Sequence, residues 1–382
     1  MRAIDLALLG DIILDVPDPD HWIAGIAEIT RAADVTIGHL EVPHTRRGTE
    51  LVGDVPAPGA DPDHLAALAR AGIDAVSMAG NHITDCGAEG IADTCAELDR
   101  LGIAHAGAGA TLVEAQRPAW IHRDGRRVVL LSYNCVGPEN GWAAHDRAGS
   151  AYVAVRPSDG GPISPQADLV DIDPASCLAM ADAIAAVRGD GTLVIVALHK
   201  GITHHPAKLA TYERPLAHAA IDAGADVVVG HHAHIVRGIE LYRDRPIYHG
   251  LGNGVVVTHA LSPGQDHAAR AEWVERRKRI FGFEPDPTYT LAPFHPEAVN
   301  GMIGHIRWQA DGSLEAGFVP VFVEAPGRPV LPEEAKGNEI ADYINRIGQD
   351  ARLPCLQLKN YSSGRGLTIH QKENRGGLNS DH

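Results

Sequence analysis

Five places in this chain pair the end of an apolar run with side chains that hold metal ions: Asp11, Glu41, Asn81 with His82, His199, and His232 with His234. The densest is Val227-Val228-Val229-Gly230-His231-His232-Ala233-His234. A β-branched run closed by Gly reads as a buried strand that stops at a tight turn. Three imidazoles come next, and neutral imidazole is the commonest protein metal ligand. In an extended segment, His232 and His234 would project the same way and grip neighbouring ions. Carboxylate, amide oxygen and imidazole together suit Zn, Mn, Fe or Ni better than Mg or Ca. A carboxylate between two ions, each with its own imidazole, makes a dinuclear centre. Such a centre acidifies a bridging water to hydroxide near neutral pH and polarises the bond under attack. Singly, each residue has an ordinary explanation: Asp11 or Asn81 in a turn, His199 as a satisfied core histidine, a His run as a solvated loop. Jointly they are hard to read as turns.

The elements that would carry them alternate strand and helix. Strands are expected at Ala7–Leu9, Val35–Gly38, Ala75–Ala79, Arg127–Tyr133, Thr192–Leu198 and Val227–Val229. Helical spacing runs over His21–Ala33, Asp61–Ala71 (Asp61 as cap, Pro62 at the first position), Ala88–Leu101, Ala175–Arg188 and Ala217–Ala223. This βα rhythm predicts a largely parallel sheet covered by helices, with ligands in the loops beyond the strands' carboxyl ends. Two stretches interrupt it, about 136–173 and about 261–300, both expected as irregular insertions over one domain spanning 1–330. A C-terminal helix and a flexible, polar, Gly-rich tail are expected over 331–382.

Composition removes several function classes. The formal charge of −16 lacks the basic footprint that nucleic acid or an anionic membrane surface needs. Five scattered cysteines, odd in number and never in a CxxC pair, fit reduced thiols rather than a disulfide framework. No stretch approaches the ~20 apolar residues of a membrane span. The expectation is a cytoplasmic protein without nucleic-acid or membrane partners; its oligomeric state is not readable.

Gly10-Asp11, Leu40-Glu41-Val42-Pro43, Gly80-Asn81-His82-Ile83-Thr84-Asp85, Gly230-His231-His232-Ala233-His234 and Tyr248-His249-Gly250-Leu251-Gly252-Asn253 stand in an order that resembles the CapA-like family of poly-γ-glutamate capsule synthesis. That family resembles a branch of the calcineurin-like metallophosphoesterases, and the likeness covers roughly residues 4–325. It implies a four-layer α/β/β/α sandwich and two divalent transition-metal ions (Zn, Mn or Fe). Carried over by position, Asp11 and Glu41 are carboxylate ligands, Glu41 the bridge. Asn81, His199 and His232 serve one ion and His234 the other, while His82 and Asp85 act near the leaving group. The chain departs from the pattern in places. The superfamily's Asp-x-His is Asp11-Ile12-Ile13, and His39 replaces the family's Asn as a substitute ligand. His199-Lys200-Gly201 replaces His-Trp-Gly, which would put the Lys200 cation at the mouth of the site. His231, His204, His205 and Asn253 are further candidates. Capsule-synthesis members are typically membrane-anchored; this chain shows no anchor.

Together these residues read as a metal-dependent hydrolase acting on a phosphoester or a γ-glutamyl amide of an anionic, small or oligomeric substrate. A non-catalytic accessory protein of polymer synthesis is the alternative. A metal-storing or sensing protein ranks last, since it needs neither an Asn ligand nor covering insertions.

Overall fold

Among the described residues two large sheets form, each parallel only in part, beside two small two-stranded ones. The computed structural model describes residues 2–48, 59–259, 282–283, 286–291, 295–360 and 366–371. β1 (Ile4–Leu14), β2 (Val35–Leu40), β3 (Ala75–Ser77) and β4 (Ala104–Ala106) pair in parallel. In the second sheet β5 (Ala119–Arg123) lies antiparallel to β6 (Arg126–Asn134), which runs parallel to β7 (Thr192–His199) and β8 (Val227–His231). β9 (Ile239–Tyr242) and β10 (Arg245–Tyr248) close its other edge as a hairpin. The chain then returns to the first sheet. β11 (Asn253–Val257) pairs in parallel with the second half of β1, and β12 (Asn300–Trp308) antiparallel with the first half. β13 (Leu314–Glu324), β14 (Leu356–Asn360) and β15 (Leu367–Gln371) complete it in the order β14-β15-β13-β12-β1-β2-β3-β4. The expected largely parallel sheet is thus two mixed ones, because antiparallel strands flank the parallel βα units.

Three cores show how the layers stack. Ile4, Leu6, Leu8, Val35 and Ile37 of the first sheet meet Val128, Leu130, Ile195, Val227 and Val229 of the second in one cluster between the sheets. Outside the first sheet, Leu9, Ile12 and Val76 pack on α1 (Pro19–Ala24), α2 (Ala27–Ala32), α3 (Leu65–Arg70) and α4 (Gly87–Leu101) through Ile23, Leu65, Leu68, Ile91 and Leu98. Outside the second, Val129, Val194 and Val228 pack on α5 (Pro174–Val187) and α6 (Glu213–Ala223) through Met180, Ile184, Leu216 and Ala220. α7 (Glu334–Asp350) closes the sandwich, with Ile340, Ile344 and Ile347 in the central cluster. This is the α/β/β/α arrangement, reached by alternation along each strand.

Several elements differ from their expected form. The helix over 21–33 breaks at Gly25 into α1 and α2. Asp61 does cap its helix, accepting from Asp63 N, but the first turn is 3₁₀ (Pro62–His64). Residues 136–173 are largely irregular, as expected, but they are packed onto the fold. They contain strands Gly149–Ser150, Val155–Pro157 and Leu169–Ile172, and bury Val153 and Val155 in the outer core of the second sheet. Of the 261–300 stretch, 261–281, 284–285 and 292–294 lie outside the described residues. Within the expected flexible tail, 356–360 and 367–371 are strands that extend the first sheet. The five cysteines are free. Among the described residues no helix is long and apolar enough to cross a membrane.

β1 does not stop at Leu9. Its pairing with β2 slips between Leu8 and Asp11, so Ile4, Leu6 and Leu8 face the inter-sheet core while Ile12 and Leu14 face the helices. Such an irregularity re-aims a side chain, and here it turns Asp11 toward the second sheet. Gly10 makes the slip possible: a Cβ there would lie 1.9 Å from Gly252 O. Gly10→Ala should therefore force β1 and β11 apart. We expect a loss of roughly 1–3 kcal/mol or more, read as a lower melting temperature by circular dichroism; an unchanged melt would mean the approach is not a real constraint.

Candidate metal centre

Strand register lines up two rows of polar residues at one end of the sandwich. Across the first sheet, Ser77, His39, Asp11 and Asn253 are lateral neighbours. Across the second, Asn134, His199 and His231 are. The rows meet where His231 Nδ1 lies 3.0 Å from Asp11 Oδ1 and the His231 ring stacks on His39 at 4.5 Å. Both rows sit at the carboxyl ends of parallel strands, the position from which loops reach a ligand.

The loop after β8 bends sharply. His232 and His234 both have positive φ, 87° and 53°. The expected extended projection is therefore wrong; two left-handed residues turn the chain instead. Non-glycine residues hold that conformation when the surroundings over-determine it, and such outliers cluster at functional sites.

One compact group of candidate ligand atoms results, with a second, looser group of side chains beside it. Atoms of Asp11, Glu41 and His234 all lie within 4.8 Å of one another, and all three residues are buried. His234 Nε2 is 3.1 Å from Glu41 Oε1, and its Nδ1 is 3.5 Å from Asp11 Oδ2 and 3.0 Å from Asn253 Oδ1. In the second group, His199 Nε2 is 2.7 Å from Asn81 Oδ1, and the His199 ring lies 4.8 Å from that of His232 and 4.7 Å from that of His39. Ser77 Oγ, 2.9 Å from His39 Nδ1, fixes that ring.

The fit to metal ions rests on buried atoms left short of hydrogen bonds: Asp11 Oδ2, Glu41 Oε2, His39 Nε2, His199 Nδ1 and His232 Nε2, while Glu41 Oε1 faces His234 Nε2. Buried polar groups are normally satisfied, and each exception needs a cause. Gathered at one spot, these are lone pairs of the types that bind Zn, Mn or Fe. Gly80 keeps the space between two of them open, since a Cβ there would stand 3.2 Å from His39 Nε2 and 3.3 Å from His199 Nδ1.

Electrostatics favour the ligand form of four imidazoles and of Glu41, whereas without an ion His234 and Asp11 are pushed toward their protonated forms. Burial pushes the His39, His231 and His232 imidazoles down to about 3 and His199 well below its ordinary value, so all four are neutral. Burial, then the neighbouring Glu41 charge, raises the Asp11 carboxyl to about 7. Burial raises Glu41 too, but the charge of His234 and its hydrogen bond outweigh that and hold it near 2. His234 is the counterpart: burial lowers it, and Glu41 with Asp11 reverses the sign and lifts it to about 9.

His82 and Asp85 stand at the edge of this cluster, with His82 Nδ1 2.8 Å from Asp85 Oδ2. Because an ionised carboxylate only accepts, Nδ1 carries the proton and Nε2 is the working nitrogen. His204, 8% exposed, stacks at 5.9 Å from the His234 ring; His205 is exposed and folded back onto Thr203 O. Lys200 corrects the sequence-based expectation. It is wholly buried, and its ammonium is 2.8 Å from Glu213 Oε2 rather than at a mouth. It comes directly after His199 on a strand, so it points to the opposite face. Asn134 joins the site without having been expected there: its amide donates to Gly80 O at 3.1 Å and anchors the turn that carries Asn81 and His82. It ends a strand as the other candidates do, and that signal is present in the sequence.

The profile of the bacterial capsule synthesis protein family PGA_cap matches residues 5–257. The chain is 32% identical over 240 residues to a probable polyglutamine synthesis accessory protein of Mycobacterium tuberculosis, covering 61% of this chain and 59% of that protein. It is 28% identical over 189 residues to the capsule biosynthesis protein CapA of Bacillus anthracis (50% of this chain, 41% of that one). It is 26% identical over 263 residues to the PGA biosynthesis protein CapA of Bacillus subtilis (66% and 63%). The chain thus spans less than two thirds of the length of these relatives.

An ion that binds the folded state at 100 times its Kd should stabilise it by about 2.7 kcal/mol. Zn²⁺ or Mn²⁺ should therefore raise the melting temperature and a chelator reverse it. Gly80→Ala, whose methyl enters the cradle, should lose most of that shift; a shift of equal size in both proteins would place the binding elsewhere.

Proposed function

Because the chain belongs to the bacterial capsule synthesis protein family PGA_cap, we propose that it is a metal-dependent hydrolase working in poly-γ-glutamate-type polymer synthesis. The observation that carries this reading is the convergence of two buried carboxylates and several neutral imidazoles, short of hydrogen bonds, beside a His–Asp pair. Asp11, Glu41 and His234 would hold one divalent transition-metal ion (Zn, Mn or Fe) and Asn81, His199 and His232 a second, and such ions would supply Lewis acidity and acidify water. Everything else falls to the chain. His39 offers a third imidazole to the second group, in place of the superfamily's missing His. His82, oriented through Nδ1 by Asp85, would act as the imidazolium: its Nε2–H gives a proton to the leaving oxygen or nitrogen, and the ring, left neutral with Nδ1–H, regains a proton from solvent. The substrate is an anionic phosphoester or γ-glutamyl amide. It meets the cluster at its least buried imidazoles, His82 and His234 at 9% and His204 at 8%, and not at Lys200.

A second reading is favoured by the description of the Mycobacterium relative as an accessory protein. In it the same centre binds metal and holds a loop arrangement that another protein recognises, without turnover.

Metal-loaded protein assayed on phosphomonoesters, phosphodiesters and γ-glutamyl amides separates the two. The hydrolase reading expects turnover with at least one class, and a drop of roughly 10²–10⁴-fold in kcat for His82→Ala at unchanged metal content. Equal rates in wild type and His82→Ala would remove its role, and no turnover on any class with metal bound would favour the accessory reading.

A further inference from the structure

Behind the centre lies a buried cluster of charge that the proposed chemistry does not use. Lys200, Glu213 and Arg237 are each wholly excluded from solvent. Glu213 is on α6, not on any ligand-bearing loop, yet it touches residues of two such loops. Its Oε2 is 2.8 Å from Lys200 Nζ, and its two oxygens are 2.9 and 2.8 Å from Arg237 Nη1. Lys200 is next to the candidate ligand His199, and its ammonium also donates to His249 O at 3.2 Å. Arg237 ends the loop that carries His231, His232 and His234. Its Nη2 donates to Ile202 O, and its backbone N–H donates to Gly250 O at 2.9 Å. Tyr212, next to Glu213, accepts from Gly201 N at 2.7 Å.

We infer that Glu213, through Lys200 and Arg237, is a positioning residue that ties together the three loops 199–204, 231–237 and 249–253 that build the candidate metal centre. This rests on the metal-centre reading above. Stability alone does not require such a cluster, because replacing a buried ion pair by apolar groups of similar volume is often neutral or stabilising. What apolar groups cannot do is fix backbone carbonyls at set directions: Ile202 O and His249 O each receive one of these donors. The two cations are not available to an anion in the site, since both are engaged with Glu213. Their cost in desolvation is returned as order in loops that otherwise have little regular structure.

The experiment uses the full chain, as wild type, as Glu213→Gln and as the triple variant K200M/E213L/R237M. Far-UV circular dichroism and melting establish folding. Mn²⁺ or Zn²⁺ is then titrated against a chromophoric chelator, and amide hydrogen exchange is measured over the three loops. The expected result is a folded triple variant whose metal affinity falls roughly 10–100-fold, the range for residues that orient ligands from behind, with faster exchange in all three loops. Glu213→Gln keeps the shape and should move both readouts the same way, and it stands in if the triple variant does not fold. A folded variant with wild-type affinity and wild-type exchange would overturn the tie. Wild-type protein that takes up neither ion, with exchange still faster in the variants, would instead overturn the metal reading and leave the tie standing.

Discussion

Asp11 and Glu41 are both fully buried, beside each other, at the junction of two sheets. An isolated buried carboxylate costs several kcal/mol even after relaxation, and two together add mutual repulsion. Among the described residues His234, held between them, is the imidazole that their charge drives toward its protonated form. Its charge satisfies Glu41 and leaves Asp11 with a carboxyl raised to about 7. The other nearby cations do not help, because Lys200 and Arg237 are turned away onto Glu213. The remaining imidazoles are neutral and present lone pairs, not protons. Two carboxylates and a shell of neutral imidazoles form a site short of positive charge. A divalent cation supplies what is missing, and the rest of the architecture serves to hold that site in shape.

The fold meets the requirement by bringing together strand ends that are far apart in sequence. Asp11 and Asn253 are lateral neighbours although 242 residues separate them, and His39 lies on Asp11's other side. The slip in β1 turns Asp11 inward, while Gly10 and Gly80 clear the space that the Gly252 backbone and the ligand rings occupy. All the candidate site residues lie within the segment that the family profile covers. Beyond residue 257 the described elements build the frame. β12 to β15 extend the first sheet and α7 seals the sandwich, so the first half of β1 has its antiparallel partner only from this later part of the chain.

Much of this is legible in the sequence because a strand-end rule and a ligand chemistry coincide. Asp11, Glu41, Asn81, His199, His232 and His234 can be picked out since each comes after an apolar run, and the structure gathers them. What the rule cannot give is direction. His232 and His234 are two apart, yet their left-handed backbone depends on the packing of neighbouring loops, which no local pattern encodes. Lys200 is misplaced by its closeness to His199, although period-two alternation from that residue turns it away from the site. Leu356–Asn360 and Leu367–Gln371 also alternate apolar and polar residues, but a Gly-rich, polar setting hides that signal. Glu213 is beyond reach: an acidic residue in an amphipathic helix reads as solvated until tertiary structure closes over it.

The most direct test of the central claim is elemental mass spectrometry on the purified protein beside Glu41→Ala. A charge-deficient cradle predicts about two equivalents of Zn, Mn or Fe, falling sharply in the variant while its circular dichroism stays native. Protein that carries no transition metal, even after reconstitution with each ion, would contradict it.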